Sequence, residues 1–301
     1  GSEYFIAYEN LRKRLDKKVM YYRRTSKQTY DNGQILPFIN ISAPAGRPAN
    51  LPIEAKIKTN YFETTYSYPI DVTKSIRWAF VYRNDNYVYL ANDRFTLELP
   101  NYNENWLFAK VEYVEDHTIK VGQNLYNGVR FKVWAEIHKQ FTIEKDTIFN
   151  NLKLKLPNFD DSYFGVVAAD FRYYQKIHKT LTWCNRVAVG HSYGTRRLLY
   201  YLGGVDSWIA PQFDQGTQVN QEINWAYQTT VTNMRGFNQN ARNGNSYAVL
   251  NSEIRWPVFQ YLMKKNIRSD FVRNFMIVGF TDIGSAWVGI NPFDDENPQF
   301  T

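Results

Sequence analysis

Along residues 128–141 apolar and polar positions alternate without a break. One parity carries Val129, Phe131, Val133, Ala135 and Ile137; the other carries Arg130, Lys132, Trp134, Glu136, His138 and Gln140. Successive side chains of a strand point to opposite faces, so this stretch predicts a ribbon with one apolar and one charged face. The split recurs over 163–177, where Val167, Ala169, Phe171 and Tyr173 oppose Asp170, Arg172, Tyr174 and Lys176. It returns as Ile53, Ala55, Ile57, Thr59 and Tyr61 against Glu54, Lys56, Lys58 and Asn60, and as Leu107, Ala109, Val111 and Tyr113 against Lys110 and Glu112. Sustained 3.6-residue periodicity is scarce, so the chain reads as all-β.

About ten strands are expected, near 4–11, 17–30, 53–67, 75–90, 105–116, 128–141, 162–176, 182–198, 246–260 and 272–287. They exceed the roughly 5–6 residues usual for strands in soluble sheets. Their connections alternate in length. Brief turns at 12–16, 68–74, 117–127, 177–181 and 261–271 alternate with longer segments at 31–52, 91–104, 142–161 and 199–245, which hold the Pro, Asn, Gly and Asp clusters. Long antiparallel strands with short turns on one rim and long loops on the other match a transmembrane antiparallel β-barrel. On this reading the apolar parity meets lipid, with Tyr61, Tyr66, Tyr68, Phe171, Tyr173 and Trp256 in interfacial girdles, and the charged parity lines a wet lumen. A soluble sandwich with a charged outer surface is the competing arrangement.

Composition narrows the classes. Aromatic residues make up 17% of the 301 residues, with 23 Tyr, 20 Phe and 8 Trp, too many for a disordered chain. Tyr counts as polar while covering apolar surface, which explains a mean hydropathy of −0.51 beside 44% apolar residues. One cysteine, Cys184, excludes a disulfide scaffold. The apolar runs 164–169 and 275–280 are far shorter than the ~20 residues of a transmembrane helix. A net charge of +7 is modest for a chain of this length.

Gly190-His191-Ser192-Tyr193-Gly194 fits the G-x-S-x-G nucleophile elbow of α/β-hydrolases. That fold needs a histidine after the serine, whereas His117, His138, His178 and His191 all precede Ser192. The segment reads instead as a strand with Ala188, Gly190, Ser192 and Gly194 on one parity, and no catalytic residue is assigned. Neither phosphate loops nor metal-ligand spacings occur, so no metal or other cofactor is expected. Basic residues interleaved with aromatics suit single-stranded nucleic acid, but a charged lumen beside a lipid-facing surface accounts for the same residues, and no nucleic-acid partner is expected.

One constellation is specific. The longest loop carries Met234-Arg235-Gly236-Phe237, the next strand carries Glu253, and the one after it carries Phe280-Thr281-Asp282-Ile283-Gly284. Parity sends Glu253 and Asp282 towards the lumen. An arginine offers a planar fork to carboxylates, so one reading has Arg235 clamp onto both, with Gly236 as the tight loop tip and Phe237 as an apolar anchor; the competing reading is that each is an ordinary loop or lumen residue.

These residues resemble a known family. Met234-Arg235-Gly236-Phe237 is similar to the loop-six signature (V/I/M)-R-G-(F/Y) of the BamA, TamA and two-partner-secretion transporter superfamily, surface-antigen-type outer-membrane barrels. Residues 280–284 are similar to its F-x-D-x-G strand motif, with Phe280, Asp282 and Gly284 at the fixed positions, and Glu253 falls where those barrels carry a lumen glutamate. The resemblance implies a sixteen-stranded barrel in the bacterial outer membrane whose loop, here 199–245, folds back into the lumen. On that basis 1–301 is one barrel domain incomplete at both ends, and no POTRA-like repeat is read in it. Members insert barrel proteins into the outer membrane or pass polypeptides across it, without cofactor. The implied partners are outer-membrane lipids, client outer-membrane or secreted polypeptides, and accessory lipoproteins or other complex subunits. A structural or anchoring barrel within a larger complex, without insertase activity, is the alternative, and a passive pore is a third.

Overall fold

The computed structural model describes residues 3–30, 53–142, 145–146, 153–154, 158–206, 212–214, 216–220, 222–263, 267–294 and 297. The expected long connection 31–52 and much of 142–161 lie outside these residues. In chain order the first elements are β1 (Glu3–Asn10), β2 (Asp16–Tyr30), β3 (Ile53–Pro69), β4 (Lys74–Tyr89), α1 (Arg94–Glu98), β5 (Tyr102–Asp116), β6 (Ile119–Gly122) and β7 (Leu125–Thr142). There follow β8 (Lys145–Asp146), β9 (Lys153–Leu154), β10 (Asn158–His178), β11 (Leu181–Gly194), β12 (Arg197–Leu202), β13 (Trp225–Val231) and β14 (Arg242–Gly244). The last are β15 (Ser246–Trp256), α2 (Val258–Leu262), α3 (Asp270–Asn274) and β16 (Ile277–Trp287).

Ten strands form one meander in the order β1-β2-β3-β4-β5-β7-β10-β11-β15-β16, with β6 as a short flap on β7. Every neighbouring pair on that path is antiparallel. A single row runs across the sheet through Asp16, Ser67, Arg77, Glu112, Trp134, Ala168, Gly190, Tyr247 and Ala286. Such a row places all these side chains on one face. Among the described residues β1 and β16 are the edges, and the sheet is not closed into a barrel. No helix among them is long and apolar enough to cross a membrane.

The two faces invert the usual arrangement of a sheet in water. Val111 is 57% exposed, Ile137 58%, Val167 47% and Ile283 60%, all on one face. The opposite face is charged and covered in part, its carboxylates largely buried and its cations partly exposed. There Glu112 is reached by Arg77, Lys110 and Lys132 at 3.4, 3.4 and 3.2 Å, Lys110 also reaches Glu136 at 3.4 Å, and Asp170 is bound by Arg172 and Arg186. The cover over β10, β11, β15 and β16 is the excursion between β11 and β15. Its strand β12 pairs parallel with β13 and antiparallel with β14. Leu198, Tyr200, Leu202, Ala226, Val231 and Met234 of the excursion pack against Phe164, Val166, Ala168, Ala188, Tyr247, Val249 and Ala286 of the sheet.

Three expectations are corrected. First, the parity of 53–61 is reversed. Ile53 and Ala55 are fully buried on the covered face, where they pack with Tyr89 and with Phe95 and Leu99 around α1. Tyr61 points the same way, its ring 6.0 Å from Phe108, and so is not a lipid-facing girdle residue, whereas Phe62 is 44% exposed on the open face. Beside it the open face turns polar, with Asn60, Asn84, Asn103 and Asn105 hydrogen-bonded in a chain. At this end of the sheet a local core forms on the covered side, and the pattern is that of an ordinary sheet in water. Second, the strand expected over 246–260 stops at Trp256. Pro257 lacks the N–H that a ladder needs, and α2 begins after it. Third, the strand expected over 272–287 starts only at Ile277. Ser269 caps α3, its side chain accepting from Val272 N–H.

Candidate functional site

The excursion returns to the sheet at residues 232–237, and the geometry there is dense. The Arg235 guanidinium lies flat against Asp282, with Nε 2.7 Å from Oδ2 and Nη2 2.6 Å from Oδ1. Its remaining fork atom, Nη1, donates to Glu253 Oε1 at 2.6 Å. The Arg235 backbone N–H also donates to Asp282 Oδ2 at 3.0 Å. Guanidinium carbon Cζ stands 3.9 Å above the centre of the Phe280 ring, a cation–π contact. Asp282 retains only 1% of its side-chain exposure, Glu253 17% and Arg235 20%. Hydrogen bonding to Asp282 outweighs the opposing effect of burial and, with Glu253, holds the guanidinium pKa above its ordinary value.

The partners stand together because of the sheet register. Asn251 lies opposite Asp282 and Glu253 opposite Phe280 on neighbouring strands. Next to them Arg186 of β11 lies opposite Asn251. These neighbours grip the loop by its main chain. Arg186 Nη1 donates to the Thr232 carbonyl at 2.7 Å, and Asn251 Nδ2 donates to the Asn233 carbonyl at 2.7 Å. Asn251 Nδ2 also donates to Asp282 Oδ1 at 2.8 Å, and Arg186 Nε donates to Asp170 Oδ2 at 2.8 Å, so clamp and sheet share one network. Arg255 donates to the second oxygen of Glu253 at 2.9 Å.

The other motif residues fall into distinct places. Gly236 has φ +88°, a left-handed backbone that glycine adopts at little cost. Gly284 makes room for the loop: a Cβ built there would sit 3.1 Å from Met234 Sδ and 3.0 Å from the Ala248 carbonyl oxygen. The apolar anchor is Met234, 5% exposed within the core, and not Phe237, whose ring is 49% exposed. Turning at Gly236 carries Phe237 away from the sheet face that receives Met234. The structure brings Arg235, Glu253 and Asp282 together and adds Arg186 and Asn251, which the sequence motifs did not single out. Their signal was present: both share the inward parity of the paired carboxylates.

Nor did the motifs single out a second clamp at the start of the excursion. Arg196 is 5% exposed, and its Nη1 donates to Glu104 at 2.7 Å and to Gln140 at 2.9 Å, while Nη2 donates to the Trp225 carbonyl at 3.1 Å. Between the clamps Tyr227 of β13 lies beneath the Arg83 guanidinium at 4.0 Å and contacts His138, which is stacked between Phe108 and Phe164 at 4.1 Å each. Ser192, the serine of the hydrolase-like motif, is fully buried and accepts from the Leu198 N–H at 2.8 Å. His191 points to the other face and contacts Ser246 at 2.7 Å. No group of three His, Cys, Asp or Glu side chains suited to a metal ion occurs among the described residues.

What this arrangement does chemically is mechanical: it fixes a long loop onto the charged face of a sheet by two arginines and a set of main-chain hydrogen bonds. In comparisons with known proteins the chain matches no family model and no curated protein.

Proposed function

We propose that the chain forms the wall of a transmembrane β-barrel in a bacterial outer membrane and acts in protein assembly or translocation, aiding the insertion or passage of client polypeptides. The observation that carries this reading is the inversion of the sheet. Aliphatic side chains such as Val111, Ile137 and Ile283 stand exposed on one face, while on the other largely buried carboxylates pair with partly exposed cations. In water that arrangement forfeits the hydrophobic contribution of the outer row; in hydrocarbon it is the favourable one. The Arg235 clamp would keep the returning loop inside the barrel, in keeping with the similarity of 234–237 and 280–284 to the assembly and translocation barrels.

The test uses the full-length protein in cells. The reading expects it to resist alkaline extraction from the outer-membrane fraction and to migrate faster in detergent gels before heating than after. Release by alkali together with heat-independent migration refutes it. Replacing Arg235 by Ala at normal protein level is expected to slow the assembly of client barrels. A second reading, an anchoring barrel for a larger complex, is supported by the apolar packing of the excursion onto β10, β11, β15 and β16, which fills that part of the covered face. It expects client assembly to survive depletion while a bound partner is lost from the membrane.

A further inference from the structure

The connection between β15 and β16 is longer than the tight turns that share its rim. Its described residues, 257–263 and 267–276, hold α2 and α3, which are joined side by side as a helical pair by Gln260 Nε2 donating to the Arg273 carbonyl at 2.7 Å. Its apolar side chains are turned out. Phe271 is 78% exposed, Leu262 63%, Met263 51% and Phe275 42%. The rings of Phe259 and Phe271 gather on Phe275, at 5.6 and 6.4 Å.

The two helices follow and precede the paired residues Trp256 and Ile277, both on the open apolar face of the sheet, so they adjoin that face at its rim. Trp256 meets Tyr261 of α2 edge-on at 6.0 Å, and Lys179 of the neighbouring turn lies 4.9 Å over the Tyr261 ring. Basic residues are interleaved with the rings: Arg268 is exposed just before α3, and Arg273 lies within it. Asp270, paired with Arg273, is the one acid in the sequence between 257 and 276.

We infer that this helical pair is a membrane foot, lying in the headgroup layer of a phospholipid surface with its rings towards the acyl chains and its cations among the phosphates. Exposed aromatics beside Lys and Arg, adjoining a lipid-facing surface, are what an interfacial segment needs. The inference rests on the membrane reading above, and its test separates the two.

In a Cys184→Ser background of the full-length protein, an environment-sensitive fluorophore is placed by Phe271→Cys, by Leu262→Cys, by Val133→Cys in the middle of the open face, or by Arg94→Cys at the opposite rim. Each protein is reconstituted into phosphatidylethanolamine–phosphatidylglycerol vesicles carrying nitroxides at shallow or deep positions. The foot expects blue-shifted emission at 271 and 262, lost more to shallow than to deep nitroxides, with 133 lost to deep ones and 94 to neither. Water-like, unquenched emission at 271 and 262 beside a quenched 133 overturns the foot and leaves the barrel standing. Quenching at 271 and 262 with none at 133 keeps the foot and removes the spanning sheet. Silence at all positions removes both.

Discussion

Replacing Arg235 by Ala removes the one group that holds two carboxylates at the return of the loop. Three charge-assisted hydrogen bonds disappear, at 2.7, 2.6 and 2.6 Å. Asp282, 1% exposed, is left with the Asn251 amide and the residue 235 N–H. Removing one partner of a buried ion pair costs about 3–5 kcal/mol, because the other charge stays buried and uncompensated. The lower end applies here, since Arg235 and Glu253 keep 20% and 17% of their side chains in contact with solvent. At about 1.4 kcal/mol per factor of ten, a loss of ~3 kcal/mol shifts the ratio of docked to released loop by on the order of a hundredfold. Hydrogen exchange of the amides at 232–236 in reconstituted protein reads that ratio directly. Arg235→Lys should fall between, because an ammonium supplies charge without the planar fork. Unchanged exchange in Arg235→Ala, with the protein folded and present at normal level, would mean that the guanidinium does not hold the loop.

Other expectations follow from the same geometry. Combining Arg235→Ala with Asp282→Asn should cost less than the sum of the single changes, by about 0.5–3 kcal/mol in a double-mutant cycle read by loop exchange. Gly236→Ala should destabilise the docked loop by about 1 kcal/mol through its positive φ alone, since a Cβ there meets no atom within 4 Å. Gly284→Ala should cost about 1–3 kcal/mol by crowding Met234 and the Ala248 carbonyl, measured by thermal loss of the fast-migrating gel form. Val133→Arg on the open face should impair membrane assembly by about 2–4 kcal/mol if that face meets hydrocarbon, whereas Asn84→Lys in the polar patch should be tolerated.

Much of the fold is legible because alternation needs only neighbouring residues. The ten long strands fall close to where period two places them, and the paired carboxylates can be assigned to one face by counting parity. What stays hidden depends on distant contacts. Ile53 and Ala55 alternate as cleanly as Val129 and Val133, but only the packing of Phe95 and Leu99 shows which face is covered. The three short strands of the excursion pair in a mixed parallel and antiparallel order that no local pattern marks. Arg196 gives no motif at all: its partners Glu104 and Gln140 lie on strands distant in sequence. Ring size favours Phe237 over Met234 as the anchor, and the turn at Gly236 reverses that choice.

Arg186 and Asn251 hold carbonyl oxygens of residues 232 and 233, atoms that every amino acid possesses. The side chains at those two positions are thereby released for other work, and both engage the opposite limb of the excursion: Thr232 donates to the Asp206 carboxylate, and Asn233 accepts from the Asp206 N–H at 3.0 Å. One short stretch thus behaves as a coupling rod, with its peptide groups fastened to the sheet and its variable groups fastened to the limb that departs from it. The hydrogen bonds that join the two limbs therefore do not run through the guanidinium of Arg235.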